Sequence, residues 1–180
     1  MSVVTSIAHL VNRLASRAVQ PASAHCDTAD GPVVTAGRAA LASGNVNRAL
    51  KWVHPEHEPQ VRAAFAAAAG GDRLVALAFL ETLVAVHRAG EGHDFTGIKP
   101  PGTPQPPAVT LGDEALAAGD VHLVLPLVEE SARDGVAERF DRALALRDHD
   151  VDDLGAAREA VVAYVDYIHF TVHHRVRAAA

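Results

Sequence analysis

The chain has 180 residues, of which 49% are hydrophobic and only 4% aromatic, and its formal net charge is −6. The acidic balance argues against a nucleic-acid-binding protein, which needs a basic face, and against electrostatic binding to anionic membranes. No apolar run of roughly 18 residues occurs, so no membrane-spanning helix is predicted.

Residues 1–24 form a basic, serine-containing segment without acidic side chains. It ends in Ala22-Ser23-Ala24, which has the small-x-small form of a cleavage site. Polar residues interrupt its apolar stretch, so we interpret the segment as a propeptide removed by a processing protease rather than as an export signal. The alternative is an amphipathic helix that stays attached and docks to the rest of the protein.

The only cysteine, Cys26, directly follows His25. If cleavage occurs before His25, a free terminal amine, an imidazole and the Cys26 thiolate can bind one metal ion. Nickel(II) and copper(II) suit such a ligand set, and iron is a further candidate. The alternative is a buried, inert cysteine next to a surface histidine in a loop.

The first half of the body is predicted to be helical. Gly44 ends the first helix, because glycine is favoured just past a helix end, and Asn45 and Asp72 are predicted N-caps. His54-Pro55 breaks the second helix. The predicted helices cover residues 33–43, 46–53, 56–69 and 73–88.

Residues 91–107 contain five prolines and are predicted to form a stiff, extended connector. In the second half, one helix precedes Gly119 and Asp120 caps the next segment. Further helices are predicted over residues 131–147 and 151–176. Few segments alternate with period two, so no sheet is expected.

The two halves resemble each other. A shift of 75 residues superimposes glycine, leucine and phenylalanine positions, among them Gly37 on Gly112 and Phe65 on Phe140. We therefore predict an all-α helical bundle of two pseudo-symmetric repeats, about residues 31–90 and 108–176, packed about a pseudo-two-fold axis. Together they form a single domain of residues 25–180.

Two helices of the body carry further candidates for chemistry. The helix of residues 73–88 is apolar around most of its circumference and is predicted to be central. Glu81 within it is predicted to be a buried proton donor or base, or else the partner of an arginine. His87 and its repeat partner His169 are candidate metal ligands that would meet near the axis, although a core histidine is the alternative for His87. Tyr167 is predicted to lie beside the metal.

The string His25-Cys26-Asp27-Thr28-Ala29-Asp30-Gly31 resembles the start of mature nickel superoxide dismutases, which are helical-bundle proteins with a short cleaved propeptide. The resemblance implies that His25 supplies its amine and imidazole, and Cys26 its amide and thiolate. Asp30 stands where that family has its second cysteine, so Asp27 or Asp30 would complete the site. One thiolate with a carboxylate is a harder ligand set, which makes copper as plausible as nickel.

A second resemblance covers about residues 25–170. The strings that carry it resemble an uncharacterised family of small bacterial helical proteins with a His-Cys-Asp start, and this resemblance implies a processed N-terminus but no reaction. These strings are His25-Cys26-Asp27 with Asp30-Gly31-Pro32-Val33-Val34, then Glu81-Thr82-Leu83-Val84 with His87-Arg88-Ala89-Gly90-Glu91-Gly92, and Tyr164-Val165-Asp166-Tyr167-Ile168-His169.

These observations predict a metal-binding protein, with redox chemistry on a small molecule at the His25-Cys26 chelate as the first hypothesis. The alternatives are a non-catalytic metal carrier and a helical module that binds a partner or another copy of itself. No phosphate loop, His-Glu-x-x-His or Gly-x-Ser-x-Gly string supports a nucleotide enzyme, zinc protease or serine hydrolase. A cytoplasmic location is expected, or an exported one if residues 1–24 act as a leader.

Overall fold

The computed structural model describes residues 22–176, with side chains from residue 25 onward. The leader predicted over residues 1–24 therefore lies almost entirely outside the described residues, and its removal stays a prediction. Within the described part, Ala22–Asp27 forms a 3-10 helix that spans the predicted cleavage position.

The described residues form helices without a β-strand, which confirms the predicted all-α class. No helix among residues 22–176 is long and apolar enough to span a membrane. Short 3-10 turns lie at Pro55–His57 and between residues 121 and 132. The α-helices are α1 (Pro32–Ser43), α2 (Asn47–Leu50), α3 (Glu58–Ala68), α4 (Arg73–Gly90), α5 (Pro107–Ala118), α6 (Arg133–Leu146) and α7 (Leu154–His173).

Several helix ends lie where the local sequence predicted them. Gly44 and Gly119 follow α1 and α5 with φ of 70°, a left-handed conformation that glycine adopts without steric cost. The carboxylate of Asp72 accepts hydrogen bonds from the N–H groups of Leu74 and Val75, which confirms it as the N-cap of α4.

Most of the predicted helix ends differ from the observed ones by one to three residues, as at the C-termini of α2 and α4. Helix α2 ends at Leu50 rather than at residue 53, because residues 51–53 close into tighter i→i+3 turns before Pro55. Helix α4 continues past Arg88 to Gly90. The N–H of Glu91 still bonds to the carbonyl of His87 at 3.2 Å, so Glu91 lies one turn after His87.

The buried side chains form two clusters, one for each half of the chain. Helix α7 packs against both, and Tyr164 contacts each of them. Helices α1 and α5 have the same bounds after the 75-residue shift, since 32–43 becomes 107–118. The pseudo-two-fold arrangement of the two repeats stays a prediction.

The proline-rich connector is non-helical, as predicted, and it runs beside the N-terminal segment. The N–H of Lys99 donates to the Asp27 carbonyl at 2.8 Å, and the N–H of Ala29 donates to the Lys99 carbonyl at 2.9 Å. The Gly102 N–H adds a bond of 2.7 Å to the Asp30 carboxylate. These bonds hold residues 27–30 against the connector.

Candidate metal centre

Three side chains with metal-ligand atoms meet where the N-terminal segment crosses the end of α4. One ligand atom each from Cys26, His87 and Glu91 lies within 4.8 Å of the other two. His87 and Glu91 are four residues apart, so they share one face of the last turn of α4. The connector fixes Cys26 opposite them. We refer to these three residues as the Cys-His-Glu group.

His87 is oriented by the main chain of Trp52. Its Nδ1 lies 2.8 Å from the Trp52 carbonyl oxygen, so Nδ1 carries the proton and Nε2 carries the lone pair. The residue is only 6% exposed, and Nε2 has no hydrogen-bond partner among the described residues. A buried polar atom without a partner is costly unless it is bound. The ring nitrogen has the lone pair and the orientation that a metal ligand requires.

Glu91 is oriented by its neighbour Arg88. Arg88 Nη1 donates to Glu91 Oε2 at 3.0 Å, and Glu91 Oε1 lies 3.6 Å from His87 Nε2. Arg88 Nε also lies 3.3 Å from Asp27 Oδ1. One guanidinium therefore holds the carboxylate of Glu91 and the carboxylate next to Cys26.

Cys26 is held as a neutral thiol in the metal-free protein. Burial raises its pKa well above the ordinary value of 9.0, and the nearby carboxylates of Glu91 and Asp27 raise it further. A metal cation at this position would have the opposite effect, because a coordinating thiol loses its proton. The residue is 6% exposed.

The donor set fits a transition-metal ion. A thiolate, a neutral imidazole and a carboxylate are ligands for zinc, nickel, copper or iron, whereas calcium and magnesium prefer oxygen. Three protein ligands leave at least one coordination position for a further group, as in metal sites that act on a substrate.

A cleft of about 390 Å³ reaches the group at His87 and Glu91. We call it the valine cleft, because Val161, Val162 and Val165 of α7 form one of its walls. Its other lining residues come from the loop after α2 and from the end of α4, among them Trp52. The Nε2 atom of His87 itself is buried, so the cleft borders this side chain without exposing the nitrogen.

His25 lies next to Cys26 in sequence but takes part in a different cluster. His25 Nε2 is 3.2 Å from Asp113 Oδ2, and the Tyr164 hydroxyl donates to Asp113 Oδ1 at 2.9 Å. His25, Asp113 and Tyr164 line a separate cavity of about 330 Å³. Trp52 stands between the two clusters, with its ring 5.7 Å from that of His87 and 6.1 Å from that of Tyr164.

The structure brings together two of the predicted metal ligands, Cys26 and His87. Asp27 is buried and paired with Arg88 and with Lys99, whose Nζ lies 3.8 Å from Asp27 Oδ2. The exposed Asp30 accepts the Gly102 N–H. None of the described residues outside the Cys-His-Glu group joins a comparable cluster.

The other predicted residues lie elsewhere on the helices. His169 is exposed on α7, and Tyr167 is fully buried in the second cluster, with its hydroxyl 3.4 Å from the Gly112 carbonyl. The burial expected for Glu81 is wrong, because its side chain is exposed. It follows Leu77 and Leu74 on a face of α4 that is open to solvent, where Leu74 is 76% exposed. The apolar circumference of α4 is therefore only partly covered.

Sequence reasoning missed Glu91, Trp52 and Asp113. Glu91 has a local signal, the i,i+4 spacing from His87, but the helix was predicted to end before it. Trp52 contributes a backbone carbonyl, and Asp113 contacts residues from distant segments. Neither contribution leaves a pattern in the sequence.

Comparison with known proteins gives a family but no activity. Neither the curated proteins nor the solved structures contain a significant match. A family model does match residues 30–170, a range that includes His87 and Glu91 and begins just after Cys26. The chain therefore belongs to the family of unknown function DUF6448.

Proposed function

We propose that this protein binds one transition-metal ion through Cys26 Sγ, His87 Nε2 and a carboxylate oxygen of Glu91. The observation that carries the proposal is the buried Nε2 of His87, which lacks a hydrogen-bond partner among the described residues and lies beside a thiol and a carboxylate. The ligand charges, one thiolate and one carboxylate, balance a divalent ion. Nickel, copper and iron remain candidates, and zinc accepts the same donors.

The burial of the ligand residues favours a metal ion that stays bound over one that the protein transfers to another molecule. Cys26 and His87 are both buried, whereas a carrier needs a shallow site from which the ion exchanges. The valine cleft borders the side chains of His87 and Glu91, while the Nε2 atom of His87 stays shielded from water. When bound, the metal would supply Lewis-acid or redox chemistry. Arg88 and the Trp52 carbonyl keep Glu91 and His87 in place.

The second candidate function adds the nitrogen ligands of a cleaved N-terminus to the same metal site. Cleavage before His25 would free an α-amine one residue from Cys26 and add nitrogen ligands to the same sulfur, which favours redox chemistry at nickel or copper. The adjacency of His25 to the only cysteine supports this version. The proton-transfer roles of Glu81 and Tyr167 stay predictions.

Cobalt(II) titration of the metal-free full-length protein tests the proposal, because a cobalt–thiolate bond gives an intense near-ultraviolet absorption. We expect one ion per chain, with the band abolished in Cys26→Ser and binding at least about tenfold weaker in His87→Gln. His169→Gln is the matched control, since it changes an exposed histidine of α7. A wild-type protein without the band, or a His87→Gln variant that binds like the control, contradicts the proposal.

The same titration separates the two candidates. A chain that begins at His25 is compared with the full-length protein, each with and without His25→Gln. In the first candidate, His25→Gln and the position of the N-terminus leave cobalt binding unchanged. In the second, the shortened chain binds nickel or copper more tightly, and His25→Gln reduces that gain because the imidazole ligand is lost.

A further inference from the structure

The valine cleft has the size and wall chemistry of a small-molecule site. Its volume of about 390 Å³ lies in the usual range for ligand pockets. Trp52, Val53 and the three valines of α7 make most of its lining apolar. Val162 is 62% exposed, so an apolar surface is left open to water at the cleft mouth.

Two of the charged residues that line the cleft are already paired. Arg158 Nη2 lies 2.5 Å from Glu58 Oε1, and Arg158 Nε donates to the Val53 carbonyl at 3.3 Å. Asp166 Oδ2 lies 3.1 Å from Arg139 Nε. The bond from Arg158 to the Val53 carbonyl joins α7 to the loop after α2, two segments that line the cleft.

Lys51 also lines the cleft, and its charge is not balanced in this way. The residue is half-buried, and no carboxylate among the described residues forms an ion pair with it. Burial lowers the pKa of its ammonium group, and the like charge of Arg48 lowers it further. A partly buried ammonium without a counter-charge is unfavourable, and an anion would relieve that cost.

The surroundings of Lys51 are basic on its other side as well. Lys51 and Trp52 also line a smaller cavity of about 150 Å³. Arg147 and His149 are among the other residues that line it. The local field therefore favours a negative group near Lys51.

We propose that the valine cleft binds a small anion with an apolar body. Its acidic group pairs with the Lys51 ammonium, and its aliphatic or aromatic part lies along Val161, Val162 and Val165. His87 and Glu91 also line the cleft, so this ligand would lie beside two members of the Cys-His-Glu group. Binding depends on the cleft walls and on Lys51, and it does not require a metal ion.

A matched series of three eight-carbon probes tests the proposal: octanoate, octan-1-ol and octylammonium, each below its micelle concentration. Trp52 is the only tryptophan of the chain and lines the cleft, so its fluorescence reports binding directly. We expect octanoate to bind at least about tenfold more tightly than octan-1-ol, because its carboxylate can form a charge-assisted contact with the Lys51 ammonium. Octylammonium should be the weakest of the three.

The variants isolate the ammonium group. Lys51→Met should weaken octanoate binding about tenfold and leave octan-1-ol unchanged, whereas Lys51→Arg should keep most of the preference for the anion. Arg73→Met removes one positive charge from an exposed position on α4 and serves as the control for net charge. Equal affinity of the wild type for octanoate and octan-1-ol overturns the proposal. So does a Lys51→Met variant that binds octanoate like Arg73→Met.

The measurements are made on metal-free and cobalt-loaded protein. Octanoate binding to the metal-free protein is expected whether or not cobalt binds. A failed metal site and a failed anion site therefore give different results.

Discussion

The Nδ1 atom of His87 lies 2.8 Å from the carbonyl oxygen of Trp52, a residue 35 positions earlier in the chain. This hydrogen bond sets the tautomer of a buried imidazole and directs its Nε2 lone pair towards Cys26 and Glu91. The same Trp52 lines the valine cleft. One contact between α4 and the loop after α2 thus links the candidate metal centre to the valine cleft.

Metal binding should become stronger as the pH rises through neutrality. Because burial raises the pKa of Cys26, the metal-free protein keeps the thiol proton at pH 7 and above, and the ion must displace it. With one proton released per ion, the affinity for cobalt should rise about tenfold per pH unit between about pH 7 and 8.5. Titration in weakly buffered solution should detect that proton. A pH-independent affinity over this range contradicts the assignment of Cys26 as a ligand.

The Cys26 thiol of the folded, metal-free protein should react slowly with iodoacetamide. The thiolate is the reactive form, and both the raised pKa and the burial of Cys26 reduce its availability. We expect alkylation at pH 8 to be at least about tenfold slower than in the urea-unfolded chain, as measured by intact mass. The single cysteine makes the readout unambiguous. Equal rates in the two states would show that the thiol is accessible.

The carboxylate of Asp30 should contribute to stability only when it is ionised. The Gly102 N–H and the Thr28 side chain hold the pKa of Asp30 below its ordinary value of 3.8. Its contribution is therefore present above that value and is lost as the pH falls through the folded-state pKa. Asp30→Asn should lower the free energy of unfolding at pH 7 by less than about 1 kcal/mol, because the group is exposed.

Urea denaturation of the wild type and Asp30→Asn at pH 7 and at pH 3 measures this effect, and the difference between them should shrink at the lower pH. Asp94→Asn is the control, since it removes an exposed carboxylate from the same connector. A loss in Asp94→Asn equal to that in Asp30→Asn would assign the effect to net charge rather than to the bond with Gly102.

Gly37 should accept a side chain only at a cost in stability, because α1 and α4 approach closely there. A Cβ at this position would lie 2.6 Å from Leu80 Cδ2 and 2.9 Å from Leu83 Cδ2. Gly37→Ala should lower the free energy of unfolding by about 1–3 kcal/mol, as overpacked cores do. Gly70→Ala is the matched control, since no heavy atom lies within 4 Å of its added Cβ. Thermal or urea denaturation compares the two, and equal stabilities contradict the close packing.

Much of the helical architecture could be predicted from short-range sequence features. The left-handed ends at Gly44 and Gly119 and the cap at Asp72 depend on the chemistry of one residue and its immediate neighbours. The end of α4 was harder to predict, because helix continuation through Gly90 runs against the low helix propensity of glycine. Because of that difference of two residues, the i,i+4 relationship between His87 and Glu91 was not predicted.

The predicted exposure of individual residues was less reliable. Glu81 and Leu74 lie on one apolar-rich helix, and the pattern alone cannot say which part of its circumference a neighbour covers. The packing partners of α4 decide this, and they come from distant parts of the chain. Glu81 therefore lies in solvent, whereas His87, on the covered side of the same helix, lies in the core.

The amino-acid sequence by itself determined the all-helical class and the approximate helix bounds, and it indicated Cys26 and His87 as candidate metal ligands. Tertiary structure alone decided that these two meet, that Glu91 joins them, and that His25 contacts Asp113 instead. Helix ends follow from local hydrogen bonding and steric preference, so nearby residues determine them. A metal centre depends on side chains brought together from residues 26, 87 and 91, and their positions follow from packing and from the connector's bonds to residues 27–30.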